Sequence, residues 1–232
     1  DLIGKLDDAG VSYEDHTTPS PNSEDNIDWM ANLVRSGDRI FSAAGDGTAS
    51  QIGEGIIRSG ARDVELALGA YGGFNDGPAN FGAVDAVTFF RGDATTRELR
   101  PIDVDLDGEH RLALLYSTLG WTAGFAETFM TRNREVMQQT RAKTLRQFGS
   151  AASYFLRHGR DTLPPYTMNE EVVSHDRDSD VLVRNSRIMA KAIRGTDYMS
   201  THEFGLHQLS VANVLSNFPY LYDSVVRGQT PS

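Results

Sequence analysis

Residues 40–50, Ile40-Phe41-Ser42-Ala43-Ala44-Gly45-Asp46-Gly47-Thr48-Ala49-Ser50, constrain the fold more than any other stretch of the chain. A short apolar run enters a Gly-Asp-Gly turn and leaves it directly as a helical pattern, with Ile52, Ile56 and Ile57 on one side. An apolar run without polar alternation is the mark of a buried strand. A strand-turn-helix of this kind aims several unpaired backbone N–H groups and the positive end of a helix at one point, which suits a phosphate. Glycine at 45 and 47 permits unusual dihedrals and close approach of a ligand to the backbone. Thr48 is placed to cap the helix or to bond a phosphate oxygen. Asp46 is the odd member, because a carboxylate repels phosphate unless a cation or a transferable proton lies between. A magnesium contact, a general base for an attacking hydroxyl and a local turn bond are the roles open to it. The loop has neither the Gly-Lys-Ser/Thr ending of the Walker pattern nor the Gly-x-Gly-x-x-Gly of the Rossmann pattern.

The rest of the first third alternates helix and strand. Residues 1–9 read as the end of a helix and Val11 to Thr17 as a short strand. Asn22 or Ser23 caps the next helix, whose apolar residues Ile27, Met30, Ala31 and Val34 fall at i, i+3, i+4 and i+7, and Gly37 stops it. Ala49 to Ser59 read as helix and Val64 to Leu68 as another buried strand, followed by the loop from Gly69 to Gly73. Strands alternating with helices predict a parallel sheet covered on both faces. After residue 84 the pattern turns β-rich: Val84 to Phe90, Arg97 to Leu106 and Arg111 to Ser117 read as strands, with Asp107-Gly108 a hairpin turn between the last two. Trp121 to Arg157 read as mostly helical, Ser179 to Asn185 and Phe204 to Leu209 as strands, and Asn213 to Val226 as a final helix. The expected fold is therefore α/β plus β-rich, with an α/β unit over 1–90 and a β-rich unit with inserted helices over 91–232.

Composition narrows the chemistry. The 232 residues carry a net charge of -10, which argues against nonspecific binding to a nucleic-acid backbone. With no cysteine, disulfides, thiolate metal sites and cysteine nucleophiles are excluded, and a cytoplasmic location is the expectation. The chain starts at Asp1 rather than methionine, so residues upstream of it are expected. The six histidines are scattered, and His202 and His207 lack the spacing of a zinc motif. Asp176, Asp178 and Asp180 alternate like the start of a calcium loop, but Val181 and Arg187 stand where glycine and glutamate are needed, so a polar loop is expected. Trp29 lies off the apolar helix face, where it marks an interface or stands exposed. Gly124, near Ser117, Thr118 and Thr122, reads as close packing in preference to a lipid pocket.

The quoted motifs resemble a known family. Ala44-Gly45-Asp46-Gly47-Thr48 is similar to the GGDGT signature of the diacylglycerol kinase catalytic domain, a loop shared by sphingosine kinases, bacterial lipid kinases and, more distantly, NAD kinases and phosphofructokinases. Gly72-Gly73-Phe74-Asn75-Asp76 resembles the second loop of that family, GTxND, and Thr17-Thr18 resembles its threonine near the adenine nucleotide. The segment from Val181 to Leu209 resembles its β-sandwich strands. The resemblance implies an N-terminal three-layer αβα nucleotide domain followed by a β-sandwich substrate domain, with ATP and Mg2+ bound between them. It implies ATP contacts at Thr18, Ala44, Gly45, Asp46, Gly47, Thr48, Ser50, Gly72, Gly73, Asn75 and Asp76, with Asp46 catalytic. The acceptor would be a hydroxyl of a lipid such as diacylglycerol, and the family leaves room for a transient membrane contact and a homodimer. An NAD kinase-like enzyme is the alternative, although Asn75-Asp76 is closer to the lipid-kinase pattern than to the Asn-Glu of NAD kinases. A catalytically degenerate nucleotide- or lipid-binding protein is the third reading.

The chain departs from the family at definite positions. Ala44 replaces the first glycine of the signature and Gly73 the threonine of the second loop. Phe204-Gly205 stands where lipid kinases have a magnesium-binding Asp-Gly, leaving Glu203 beside it as the candidate metal ligand. The family's C-terminal Asp-Gly-Glu turn has no counterpart before Ser232, and Asp107-Gly108-Glu109, out of order, reads as a hairpin turn. That element is expected either beyond the chain end or not at all.

Overall fold

The computed structural model describes residues 1–20, 23–72, 75–106, 108–120, 122–124, 127, 153–154, 157–158, 161–163, 167–168, 171–172, 178–185, 188–189, 193–194 and 205–210. The chain divides into two compact units. The first comprises Asp1–Leu115 and takes back Asn185–Ala190 from later in the chain; the second includes Tyr116–Arg184.

In the first unit, α1 (Leu2–Asp8) opens on Asp1, whose carboxylate accepts the Gly4 N–H at 2.6 Å. Helix α2 (Ser23–Leu33) buries Ile27 and Met30, and β1 (Arg39–Ser42) follows. Helix α3 (Asp46–Ser59) ends on Gly60 in the left-handed conformation, where glycine carries no side-chain penalty. Strand β2 (Glu65–Leu68) pairs parallel with β1, Arg39 opposite Glu65 through Ser42 opposite Leu68. Arg39 and Glu65 add an ion pair at 2.9 Å across that register.

Successive strand residues point to opposite faces, and the packing follows from that. Ile40 and Leu66 join Met30, Val34 and Ile52 in a cluster between the strands, α2 and α3. Phe41 meets Phe89 and Phe90 of α5 (Ala86–Arg91) instead, with ring centroids 6.3 and 6.5 Å away. Helices α2 and α3 approach closely at Gly55, where a Cβ would stand 2.6 Å from the Ile27 carbonyl oxygen. Trp29 is half-buried against the same cluster, edge-on to His16, so it is part of the packing and not an exposed marker.

Helix α4 (Asp76–Phe81) precedes α5. Strands β3 (Ile102–Leu106) and β4 (Glu109–Ala113) form an antiparallel hairpin around Gly108, whose φ is 86° and whose N–H donates to Asp105 at 2.9 Å. The expected hairpin is thus present with Gly108 in its turn, and Asp107 lies outside the described residues. Three other expectations fail. Val11 to Thr17 is irregular and pairs with no strand among the described residues. Val84 to Phe90 is not a strand, because Ala86 to Phe90 belong to α5: Asp85 caps that helix by accepting the Thr88 N–H at 3.1 Å, and Gly92 closes it in the left-handed conformation. Arg111 to Ser117 is broken at Leu114-Leu115 into β4 and β5.

The second unit contains β5 (Tyr116–Gly120), the short hairpin of β6 (Thr167–Met168) with β7 (Glu171–Val172), and β8 (Asp178–Arg184). Strand β9 (Ile188–Met189) lies in the first unit; β10 (Ile193–Arg194) and β11 (Gly205–Ser210) lie in the second. Strand β8 is central to an antiparallel sheet in the order β11-β8-β5. Asp178 and Asp180 belong to this strand and not to a polar loop, and Asp180 is fully buried. The Tyr154 hydroxyl sits against Gly124, which is therefore a close-packing position. The long helix expected from Trp121 to Arg157 falls mostly, and that from Asn213 to Val226 wholly, outside the described residues.

Candidate functional site

The two glycine loops both leave the carboxyl ends of parallel strands, the place where ligands of open α/β sheets bind. Gly45 is the N-cap of the 14-residue α3 and supplies no side-chain cap. The N–H groups of Asp46, Gly47 and Thr48 open that helix without an acceptor inside it, and the helix dipole adds positive potential there. The helix begins three residues earlier than the sequence pattern indicates, so Asp46, Gly47 and Thr48 form its first turn and not a separate loop. Gly47 is exposed, while Ala44, Gly45, Asp46, Thr48 and Ser50 are half-buried.

The second loop lies directly against the first. A Cβ on Gly72 would stand 2.6 Å from the Gly45 Cα, so only glycine allows the two backbones to touch. The Gly72 N–H donates to the Asn75 side-chain oxygen at 2.6 Å, which curls the loop, and Asn75 itself takes a left-handed conformation with φ 56°. Asn75 makes no side-chain cap for α4. That task falls to Asp46: its Oδ2 accepts the Asp76 N–H at 3.1 Å and its Oδ1 the Gly77 N–H at 2.9 Å. Asp76 and Gly77 are buried. Removing both acceptors would leave two N–H groups unpaired, at a cost of about 1–3 kcal/mol each. The bond that Asp46 makes is therefore a long-range one to the second loop and not a local turn bond.

Thr18 is half-buried in the segment between α1 and α2. Two hydrogen bonds tie that segment to α3: the Ser20 N–H donates to Asn26 Oδ1 at 3.2 Å, and Asn26 Nδ2 donates to Gln51 Oε1 at 2.9 Å. Asn26 and Gln51 do not appear in any sequence motif. Their only trace is a polar residue beside the buried Ile27 and another one turn after Gly47. Ser42, the last residue of β1, has a buried Oγ with no hydrogen-bond partner. Gly73 and Glu203 lie outside the described residues.

Among the described residues no group of three His, Asp or Glu side chains is placed to hold a metal ion, and both Asp46 oxygens are already engaged. Magnesium that accompanies a nucleotide needs only one or two carboxylates besides phosphate and water. Among those residues, no helix is long and apolar enough to cross a membrane. Comparison of the chain with protein-family models, with curated proteins and with solved structures gave no match.

Proposed function

We propose that the chain is an ATP-dependent kinase that transfers phosphate to the hydroxyl of a lipid such as diacylglycerol. In this reading residues 1–90 are a three-layer αβα nucleotide domain and 91–232 a β-sandwich-like substrate domain, working in the cytoplasm. The observation that supports it best is the contact of Gly45 with Gly72 beside the uncapped start of α3. Backbone N–H groups and a helix dipole there would bind the phosphates of ATP. Ala44, Gly47, Thr48 and Ser50 line the first loop, Gly72 and Asn75 the second, and Thr18 would meet the nucleoside. Transfer would rest on positioning and neutralisation of charge, as in other phosphoryl transfers.

The occupied carboxylate of Asp46 favours a second reading, a nucleotide-binding protein without transfer activity, because the acid assigned to catalysis is committed to the fold. Two measurements test the readings, and the second separates them. Millimolar ATP or ADP with magnesium should raise the melting temperature of the protein under both; no response removes both. Labelled ATP with a panel of diacylglycerol and other long-chain alcohols should yield a labelled lipid only under the first. Binding without transfer across the panel decides for the second.

A further inference from the structure

We infer that Asp46 is a positioning residue, a clasp that holds the second glycine loop against the first, and not the base that takes a proton from the acceptor. The inference rests on the nucleotide-site reading and deepens it. Asp46 occupies the first position of α3, so its own N–H belongs to the open turn while its carboxylate reaches the start of α4, 30 and 31 residues away. Each oxygen takes one backbone N–H. The surroundings are built for that grip. A Cβ on Gly77 would stand 2.6 Å from Leu68 Cδ1 and 3.4 Å from Asp46 Oδ1, so glycine there lets the α4 backbone reach the carboxylate. A Cβ on Gly72 would lie 3.5 Å from the Asp46 nitrogen as well as against Gly45. Asn75, the residue that would ordinarily cap α4, gives its oxygen to Gly72 instead. Both glycine loops thus share one side chain as their fastening, and the surface they offer to a polyphosphate exists only while it is closed.

Amide exchange at Asp76 and Gly77, with ADP binding measured in parallel, tests the clasp on the full chain. In Asp46→Ala both amides should exchange at least about tenfold faster, and ADP affinity should fall about tenfold, the worth of one charge-assisted hydrogen bond. Asp46→Asn keeps one acceptor oxygen and should recover much of that affinity, whereas loss of a general base would leave ADP affinity unmoved in both variants. In the wild type both amides should stay protected when ADP binds. Loss of that protection on binding would mean the carboxylate is released to act on the ligand, and would overturn the clasp. Wild-type protein that binds ADP, with exchange indifferent to Asp46→Ala, also overturns it and leaves the nucleotide reading standing. Wild-type protein that binds no ADP sinks that reading, and the positioning role with it.

Discussion

Glu54 and Asp180 are buried acids, one in each unit, and they are handled in opposite ways. Glu54 is 4% exposed and accepts from Arg58 at 2.6 Å, one turn along α3. Arg58 also bonds Glu24 of α2 at 2.7 Å, and Arg111 of β4 bonds the same Glu24, so the network runs out to the surface. Asp180 is 1% exposed, and the bonds it receives from Thr122 and Val181 come from neutral donors. Burial outweighs those bonds and pushes its carboxyl up to about 6. The two buried acids thus differ in their partners: Glu54 has a guanidinium one helical turn away, and Asp180 has only hydroxyl and amide donors.

The largest effect expected is on pH dependence. A carboxyl whose folded value is raised above its unfolded one stabilises the fold most when protonated, below about pH 4, and that contribution is lost as pH rises to about 6. The loss is at most about 3 kcal/mol. Asp180→Asn should remove this slope, so denaturant melts at pH 4 and 7 should show its advantage over wild type only at pH 7. An equal difference between the two proteins at both pH values breaks the contrast. Next comes Arg58→Ala, which strands the Glu54 carboxylate. It should cost about 2 kcal/mol at pH 7, less than the about 3–5 kcal/mol of a fully buried pair because Arg58 is a third exposed. A melt unchanged by this substitution would mean that Glu54 needs no cation. Glu24→Gln should matter least. Arg111 first and Arg58 second hold the Glu24 carboxyl below its ordinary range, so its stabilisation is present above that range and disappears as pH falls through the lowered value. This exposed pairing is worth below about 1 kcal/mol and should fade in molar salt.

Local chemistry made some elements readable in the sequence. The β1-turn-α3 unit follows from an apolar run, two glycines and a helical period, and the β3–β4 hairpin from Asp107-Gly108. The errors trace to partners that sequence distance conceals. Val84 to Phe90 is rich in β-branched and aromatic residues, yet Asp85 and Gly92 bracket it as helix caps and the phenylalanines pack on β1. The break at Leu114-Leu115 is invisible in an unbroken apolar run. The glycine loops themselves were readable, but their fastening was not, because Asp46 finds its donors across 30 residues and nothing local announces them.

Asn185 carries a consequence for anyone dividing the chain. Its N–H donates to the Leu115 carbonyl at 2.6 Å, and its side-chain amide donates to the carbonyls of Arg100 and Leu114 at 2.6 and 3.4 Å. A fragment stopped after Leu115 would surrender those three bonds at once, although every residue of both glycine loops would still be in it. The first unit is thus a discontinuous piece of polypeptide, and Asn185 reaches it only after translation has passed β5 to β8 of its neighbour.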